Sequence, residues 1–482
     1  MNGQTTIFDM LYPKYKITKP IRLIEFFAGY GSQALALKYL GVKFEHWKIC
    51  EWAVKSIQAY KDIHFTDVND DWNKGFKIED LQEHLFNLGI SSNYNEPMTL
   101  KQIQRLPEKQ LRQIHNNICN TNNLVNIQQV KGKDLEIEDK EDYCYILTYS
   151  FPCQDLSLAG KGKGMSDTST RSGMLWEVER ILSECKELDT LPQILLMENV
   201  PQVHGSDNVE DFNKWQLRLE ELGYKNYWQD LIATDYEIPQ TRNRCFMVSI
   251  LGDYNYSFPK PIKLEKKLKD MLEDNVDEKY YLSDAMLQYM MSESSGGISR
   301  KEMFERNFNK KEDVAATITT MAGQRASDNF IKVKNATKKG YLEATDGDGV
   351  DISSRMEHHR GTVQKNKIQT LTTQCDRGVV TKPRVLGGIG EKDSNNNTQW
   401  KQQNRIYDEN VAISVTTSFN PYYKNDLRIR KLTPREAFRL MGVKDEDFEK
   451  VKVNQSDSSL YHLAGDSIVV NVLMAIFKEM IN

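Results

Sequence analysis

Long apolar runs are missing from this sequence. No uninterrupted apolar stretch comes near the roughly 20 residues a membrane-spanning helix needs. Met1 to Lys19 has no apolar h-region, so no secretory signal is expected. Cysteine is sparse: seven in 482 residues, an odd number, with no C-x-x-C pair. That excludes a disulfide framework and a Cys-rich zinc site, and points to a reducing cytosol. H-E-x-x-H and EF-hand patterns are absent too. His358-His359 stands in a polar stretch without partner spacing and reads as a solvated loop or a DNA contact, so no metal is expected.

What is present is ordinary for a globular chain. Hydrophobic residues make up 39%, charged residues 27% and aromatics 10%, which argues against disorder of the whole chain. The length suits two or three domains. Net charge is only -4, but it is uneven. Gly296 to Arg435 holds an excess of about nine positive charges, leaving the remainder acidic. A basic segment inside an acidic chain is either a lysine-rich solvated surface or an electrostatic footprint for nucleic acid.

The first hundred and fifty residues alternate. Ile21 to Phe26 is a short apolar run ending at a Gly-rich turn and reads as a buried strand. Ser32 to Leu40 follows as a helix, Phe44 to Cys50 as a strand and Ala53 to Tyr60 as a helix. Strand–helix alternation predicts a parallel α/β sheet. Residues 63–122 interrupt it with three apolar helical faces, one containing Ile78, Leu81, Leu85 and Leu88, and Pro107 can open the last. This reads as a helical insertion, a flap or an oligomer contact. Sheet logic is expected to resume at Leu124 to Val130, then at Tyr143 to Tyr149, Ile194 to Met197 and Cys245 to Ile250. Between 260 and 431 the pattern changes. Val314 to Thr320, Ile368 to Thr373 and Val411 to Thr417 each end in Thr-Thr before a polar loop, and predict a β-rich domain built from a repeated unit. At the end, Thr433-Pro-Arg-Glu436 is a capping box with Gly442 as the stop, and Asp466 is expected to cap a last helix over Ser467 to Met480.

Several motifs carry chemistry. Phe27-Ala-Gly-Tyr-Gly-Ser32 joins the first strand to the first helix, where Gly29 and Gly31 let a ligand approach free N–H groups. Glu51 closes the second strand, where a carboxylate can take ribose hydroxyls. Gly29 to Ala34 also fits G-x-G-x-x-G/A, so NAD stands beside other nucleotides, or a merely tight turn, as a reading. Phe151-Pro-Cys-Gln-Asp155 follows a buried strand and precedes a loop with Gly160, Gly162 and Gly164. Cys153 there is a nucleophile under a lid or a buried inert thiol. Glu198, in Met197-Glu-Asn-Val200, shares the crevice with Cys153, or is a salt-bridge partner or helix cap. Arg242 and Arg244 can serve a phosphate or carboxylate, or decorate a basic edge strand.

In this order the motifs resemble the DNA (cytosine-5) methyltransferase family. The match runs through Phe27–Ser32, Glu51–Trp52, Asp134–Leu135, Phe151–Ser157, Arg171–Trp176, Glu198–Val200, Gln240–Arg244, Leu432–Gly442 and Gly465–Asn471, about 300 residues of core. The resemblance implies a Rossmann-like, mostly parallel α/β catalytic domain over 1–259, a smaller β-rich target-recognition domain over 260–431, and a return to the catalytic domain over 432–482. It implies Cys153 as the nucleophile on cytosine C6, Glu198 as the group holding the ring, and Arg242 and Arg244 as positioning groups. It implies an S-adenosylmethionine pocket lined by Phe27, Ala28, Gly29, Gly31, Glu51, Trp52, Asp134, Leu135, Pro152, Asp466 and Ser467. Asp134 is preferred to Asp67 for the adenine because its distance from Cys153 matches the family. Substrate contacts are expected from Gln154, Ser157 and Asn199, and from Gln324, Arg325, Gln374 and Arg377 in the loops after the Thr-Thr units. Tyr30, Ser32 and Asp466 depart from the family pattern.

The implied reaction is methyl transfer to C5 of a flipped-out cytosine in double-stranded DNA, with S-adenosylhomocysteine as product. The implied setting is cytoplasmic and nucleoid-associated, as a restriction–modification, phage or orphan enzyme. No membrane partner is implied; a cognate restriction endonuclease is a further partner, and the enzyme acts as a monomer on DNA. A tRNA cytosine-5 methyltransferase and a catalytically silent DNA-binding regulator are the alternatives. The basic β-rich segment speaks against the first, and intact Cys153, Glu198 and arginines against the second. An NAD dehydrogenase gives no role to the Pro-Cys-Gln or Glu-Asn-Val motifs.

Overall fold

The computed structural model describes residues 12–151, 174–281 and 430–481, and the backbone alone of 427–429 and of six short strands between 330 and 407. Pro152, Cys153, Gln154, Ser157, Gln324, Arg325, Gln374 and all three Thr-Thr units lie outside the described residues. The described residues fall into two compact units, one up to Asp274 and again from Thr433, the other between them.

The first unit is built on a six-stranded sheet. Its strands are β1 (Ile21–Phe26), β2 (Phe44–Cys50), β3 (Cys144–Tyr149), β4 (Ile194–Asn199), β5 (Tyr224–Ile232) and β6 (Asn243–Leu251), in the order β2-β1-β3-β4-β6-β5. The first four run parallel and β6 antiparallel to both neighbours. β1, β3 and β4 are buried at every residue, as expected of strands covered on both faces. β1 pairs with β3 from Ile21 opposite Cys144 to Phe26 opposite Tyr149 without a shift, so both strands end level. The fold is thus the Rossmann-like α/β sheet the motif order implied, mostly parallel with an antiparallel edge.

Helices cover both faces. On one side α6 (Leu175–Glu187) and α7 (Val209–Leu222) close a core containing Phe26, Tyr149, Met197, Leu182 and Trp215, with Trp215 Nε1 donating to the Tyr149 hydroxyl at 3.2 Å. On the other, α1 (Ser32–Tyr39) packs against the last helix. α1 is buried from Ser32 to Leu37, which explains why it lacks a polar face. The insertion forms α3 (Ile78–Leu88), α4 (Leu100–Gln104) and α5 (Glu108–Asn120), which bury Leu81, Leu85, Ile103, Leu111 and Ile114 against Ile57 of α2 (Val54–His64).

Three expectations are corrected. Leu124 to Val130 is not a strand. Asn122 and Leu124 make one bridge to Ile49 at the edge of β2, and then Val125 turns at φ +62° and the chain folds into successive turns. β5 was missed because it is a half-exposed edge strand rich in polar residues, without a clean alternation. The C-terminal segment has four helices: α8 (Pro434–Leu440), α9 (Asp445–Lys452), α10 (Asp457–Asp466) and α11 (Val470–Ile481). Asp466 therefore closes α10 instead of capping the last helix, which starts at Val470. The Thr433–Glu436 capping box does form, with Thr433 N donating to Glu436 Oε2 at 2.8 Å. Asp457 to Ile481 is the one helical stretch among the described residues long and apolar enough to cross a membrane. It is 67% buried in its most apolar window, as a core element is, and it breaks at Ser467.

In the second unit the described backbone is β-rich. β8 (Gly349–Asp351) lies between β9 (Val363–Gln364) and β10 (Arg377–Val379), β11 (Val385–Gly388) pairs with β12 (Arg405–Tyr407), and β7 (Phe330–Lys334) pairs with β13 (Leu427–Lys431), all antiparallel.

Candidate active site

In a sheet of parallel strands, ligands meet the C-terminal strand ends. Here the sequence places Phe27, Glu51, Phe151 and Glu198 just after or at the ends of β1, β2, β3 and β4. After β1 the chain turns sharply. Phe27 (φ +57°), Gly29 (φ +56°) and Gly31 (φ +82°) are left-handed, and Phe27 N donates to Cys50 O at 2.8 Å, tying the turn to β2. A Cβ added at Gly29 would meet nothing within 4 Å, so the turn presents its backbone to open space. Gly31 sits against Tyr60 and His64, whose Nε2 lies 2.9 Å from Tyr30 O. Beneath the turn, buried Glu25 accepts from Tyr60 Oη at 2.5 Å and from Ala34 N at 3.3 Å.

Glu51 is held on both sides. One carboxylate oxygen accepts from Gly29 N at 2.9 Å and the other from Ala53 N at 2.7 Å. Asn123 locks its backbone, accepting from Glu51 N at 3.0 Å and donating to Glu51 O at 2.9 Å. Burial pushes the Glu51 carboxyl up to about 7, against the pull of those backbone donors and with help from the Asp466 charge.

Glu198 is buried at the end of β4, and Arg244 approaches it from the same face of β6. Glu198 Oε1 lies 3.1 Å from Arg244 Nε. The pair is a charge contact without hydrogen-bond geometry, and Oε1 has no hydrogen-bond partner among the described residues. Burial raises the Glu198 carboxyl above the usual range, Arg244 and Arg242 oppose it, and Asp466 adds to it. Asp466 thus acts on both Glu51 and Glu198. Three carboxylates from three parts of the chain share one neighbourhood.

The remaining candidates divide clearly. Arg242 is buried and donates through Nη2 to Gly465 O at 3.0 Å and Ser467 O at 2.7 Å, so it fixes the junction between α10 and α11. Ser467 Oγ accepts from the Tyr30 hydroxyl at 2.8 Å and donates to Ala464 O. Tyr30 is therefore a core strut, stacked on Phe438 with ring centroids 5.3 Å apart. Asn199 is buried and gives its Nδ2 to Phe151 O at 3.0 Å, holding the chain just after β3. Asp134 accepts from Lys131 N at 2.9 Å in a single helical turn over Gly132–Leu135. Leu135 is wholly buried, and its carbonyl accepts from Trp47 Nε1 at 2.8 Å, as its place in the core requires. Arg377 is described only as backbone, in β10 opposite Asp351.

Sequence reasoning missed Glu25, Tyr60, His64 and Asn123. Each acts through another residue's backbone or carboxylate, and nothing in the local sequence signals that. One group outside this site has metal-ligand spacing among the described residues: His204 Nε2, an Asp230 oxygen and Cys245 Sγ lie within 4.8 Å of one another. His204 Nε2 and Asp230 Oδ1 are already hydrogen-bonded to each other at 2.9 Å.

A glycine turn opening on a parallel strand, an acid closing the next strand and a buried Glu–Arg pair two strands on all lie at the carboxyl ends of an α/β sheet, where such folds bind ligands. The comparisons narrow that class. Residues 84–482 match the model of the C-5 cytosine-specific DNA methylase family, and the chain belongs to that family. It is an enzyme of that type, a cytosine-5 DNA methyltransferase. It is similar to the type II methyltransferase M2.ScrFI of Lactococcus lactis subsp. cremoris, 30% identical over 466 residues covering 95% of this chain and 99% of that protein. It is also similar to the orphan methyltransferase M.SssI of Spiroplasma monobiae, 37% identical over 281 residues covering 57% of this chain and 70% of that protein. Among solved structures, the Dnmt2 methyltransferase of S. pombe aligns with a TM-score of 0.50 at 15% identity, covering 95% of this chain and 97% of that one. The Entamoeba histolytica methyltransferase EhMeth aligns at 0.51 and 13% identity, covering 96% and 98%. At such identity the likeness is one of fold.

Proposed function

We propose that the protein transfers a methyl group from S-adenosylmethionine to C5 of a flipped-out cytosine within a specific double-stranded DNA sequence, through a covalent adduct between Cys153 and C6. The observation that carries this reading is the pairing of two half-sites. Glu51 sits across the open Gly29 turn, and buried Glu198 faces Arg244 two strands away. The residues fit the cofactor: the glycine backbone has room for it, Glu51 can accept from ribose hydroxyls, and the acidic neighbourhood suits a sulfonium cation. S-adenosylmethionine supplies an electrophilic methyl group.

The chain's residues do the rest. The Cys153 thiolate adds to C6, turning C5–C4–N4 into an enamine with nucleophilic C5. Glu198, whose carboxyl burial shifts towards the protonated form, donates to N3 and stabilises the charge built there. Arg244 holds Glu198 in place. C5 would take the methyl group as its bond to the sulfonium sulfur breaks and S-adenosylhomocysteine leaves; a base would then remove the C5 proton as the thiolate leaves C6. Asn199 sets the path of the chain into the cysteine segment. The β-rich unit, inside the basic segment, is read as the part that selects the sequence. The relatives' descriptions, type II and orphan, support a restriction–modification or orphan role, the former bringing a cognate endonuclease. A monomer on DNA suits a single cofactor and base site per chain.

The test is to incubate the purified protein with S-adenosylmethionine and unmethylated plasmid and to map 5-methylcytosine at single-base resolution. One methylated motif establishes reaction, substrate and specificity. No methylation of DNA by folded, cofactor-bound protein refutes the reading.

A further inference from the structure

The insertion is stitched to the residue pair that follows Glu51. Ser91 N donates to Trp52 O at 2.8 Å, and Val54 N donates to Ser91 O at 2.9 Å. Trp52 itself packs against the insertion's core. Three residues on, Tyr94 takes a left-handed backbone (φ +62°) and lays its ring on His462 of α10, with centroids 3.9 Å apart and planes at 44°. His462 Nε2 lies 3.0 Å from Asp466 Oδ2, one turn further along the helix. The Tyr94 hydroxyl is buried beside the Ser56 and Ser459 hydroxyls, and the Glu51 and Asp466 charges both act on it. The insertion therefore grips both sides of the proposed cofactor site: the start of α2 beside Glu51 and the end of α10 at Asp466.

We propose that Tyr94 is a positioning residue of the cofactor site, which sets Asp466 against Glu51 through its tilted ring contact with His462. This rests on the reading of Glu51 as a cofactor ligand. The insertion is then part of the catalytic unit's working geometry, and no free flap. A ring packed this closely fixes the lateral position of α10, and a ligand held between two carboxylates loses affinity when their separation drifts. An effect confined to folding would lower stability and turnover without selecting the cofactor step.

The experiment uses the full chain and measures S-adenosylhomocysteine affinity by calorimetry, KM and kcat for S-adenosylmethionine, and the melting temperature. Tyr94→Ala is expected to raise the dissociation constant and KM by about tenfold, with kcat at saturating cofactor within about twofold of the parent. Tyr94→Phe keeps the ring and is expected to restore KM. His462→Leu, which keeps bulk but loses the contact to Asp466, is expected to raise KM as Tyr94→Ala does, and serves where the alanine variant fails to fold. Tyr94→Ala or His462→Leu with an unchanged KM, beside a Glu51→Ala variant that no longer binds cofactor, overturns the inference and leaves the cofactor site standing. Full cofactor affinity in Glu51→Ala overturns both.

Discussion

Glu198 and Arg244 face each other across neighbouring antiparallel strands as a close but poorly aligned ion pair, Oε1 3.1 Å from Nε. A buried acid in such a pair normally spends its lone pairs on its partner. Here the geometry leaves one oxygen unfilled at a strand end that faces the crevice. Burial meanwhile favours the protonated acid. An acid of that kind is suited to donate to a ring nitrogen, and the arginine keeps it from turning away.

Glu198→Gln preserves shape and removes the transferable proton. The methyl-transfer rate in a single turnover is expected to fall by about 10²–10³-fold, the usual cost of losing one transition-state donor. S-adenosylhomocysteine affinity should be unchanged, because Glu51 is intact. A rate within threefold of the parent would show that Glu198 does not act on the base.

Glu51 gives a pH dependence with a definite sign. Its carboxyl is pushed up to about 7, and only the ionised form accepts strongly from ribose hydroxyls. Cofactor affinity is therefore expected to rise as pH increases from 6 to 8, and Glu51→Gln should bind weakly with a flat profile. For stability of the cofactor-free protein the sign reverses. The native state keeps a proton that the unfolded chain releases near the ordinary glutamate value, so the contribution is complete below that value and is lost as pH rises through about 7. Glu25, also pushed up to about 7 by burial, adds to the same trend. Melting temperature measured across pH 5 to 8 should fall, and less so in Glu25→Gln. A rising melting temperature over that range would contradict both assignments.

These elements also show how much the sequence could convey. β1 was legible to the residue because an apolar run ending in a glycine turn has few other solutions, and the bounds read for β2 agree with the structure as well. The positions of Glu51 and Glu198 at strand ends followed directly. The edge strand β5 was not legible, since half-exposed residues carry little periodicity. The struts were not legible either. Tyr30 looked like an oddity of the cofactor turn, yet its hydroxyl bonds a residue 437 positions away. Arg242 was read as a positioning group, and the carbonyls of Gly465 and Ser467 that its guanidinium holds could not be foreseen. Long-range polar contacts leave no local pattern.

Gly31 is where the turn tolerates nothing else. At φ +82° an L side chain is strained, and a Cβ would run into His64 Nε2 and come within 2.6 Å of the Tyr60 ring. Gly31→Ala combines left-handed strain with a steric clash, and should destabilise the fold by about 2–4 kcal/mol. Gly29→Ala meets open space and carries only the backbone strain. Its stability loss should be about 1 kcal/mol, while its cofactor affinity falls because the new methyl group occupies the space left for the ligand. Denaturant unfolding paired with calorimetry separates the two. Equal losses of stability at both glycines would mean that the cradle around Gly29 is filled by protein.

Cys153 itself lies outside the described residues. Phe151 is the last residue described after β3, and Asn199 holds its carbonyl at the crevice. Cys153→Ala should abolish methyl transfer, because without a thiolate on C6 the C5 carbon is too weak a nucleophile. DNA and cofactor binding should persist, since neither depends on the thiol. Replacing Asn199 with Ala should leave Cys153 chemically intact but less well aimed. A fall in rate of about 10²-fold is expected, with cofactor affinity unchanged. The decisive assay is a denaturation-resistant protein–DNA complex formed on DNA carrying 5-fluorocytosine, which blocks release of the adduct because no C5 proton can leave. The parent should form it, Cys153→Ala should not, and the Asn199 variant should form it slowly. A stable complex with Cys153→Ala would move the nucleophile elsewhere in the chain.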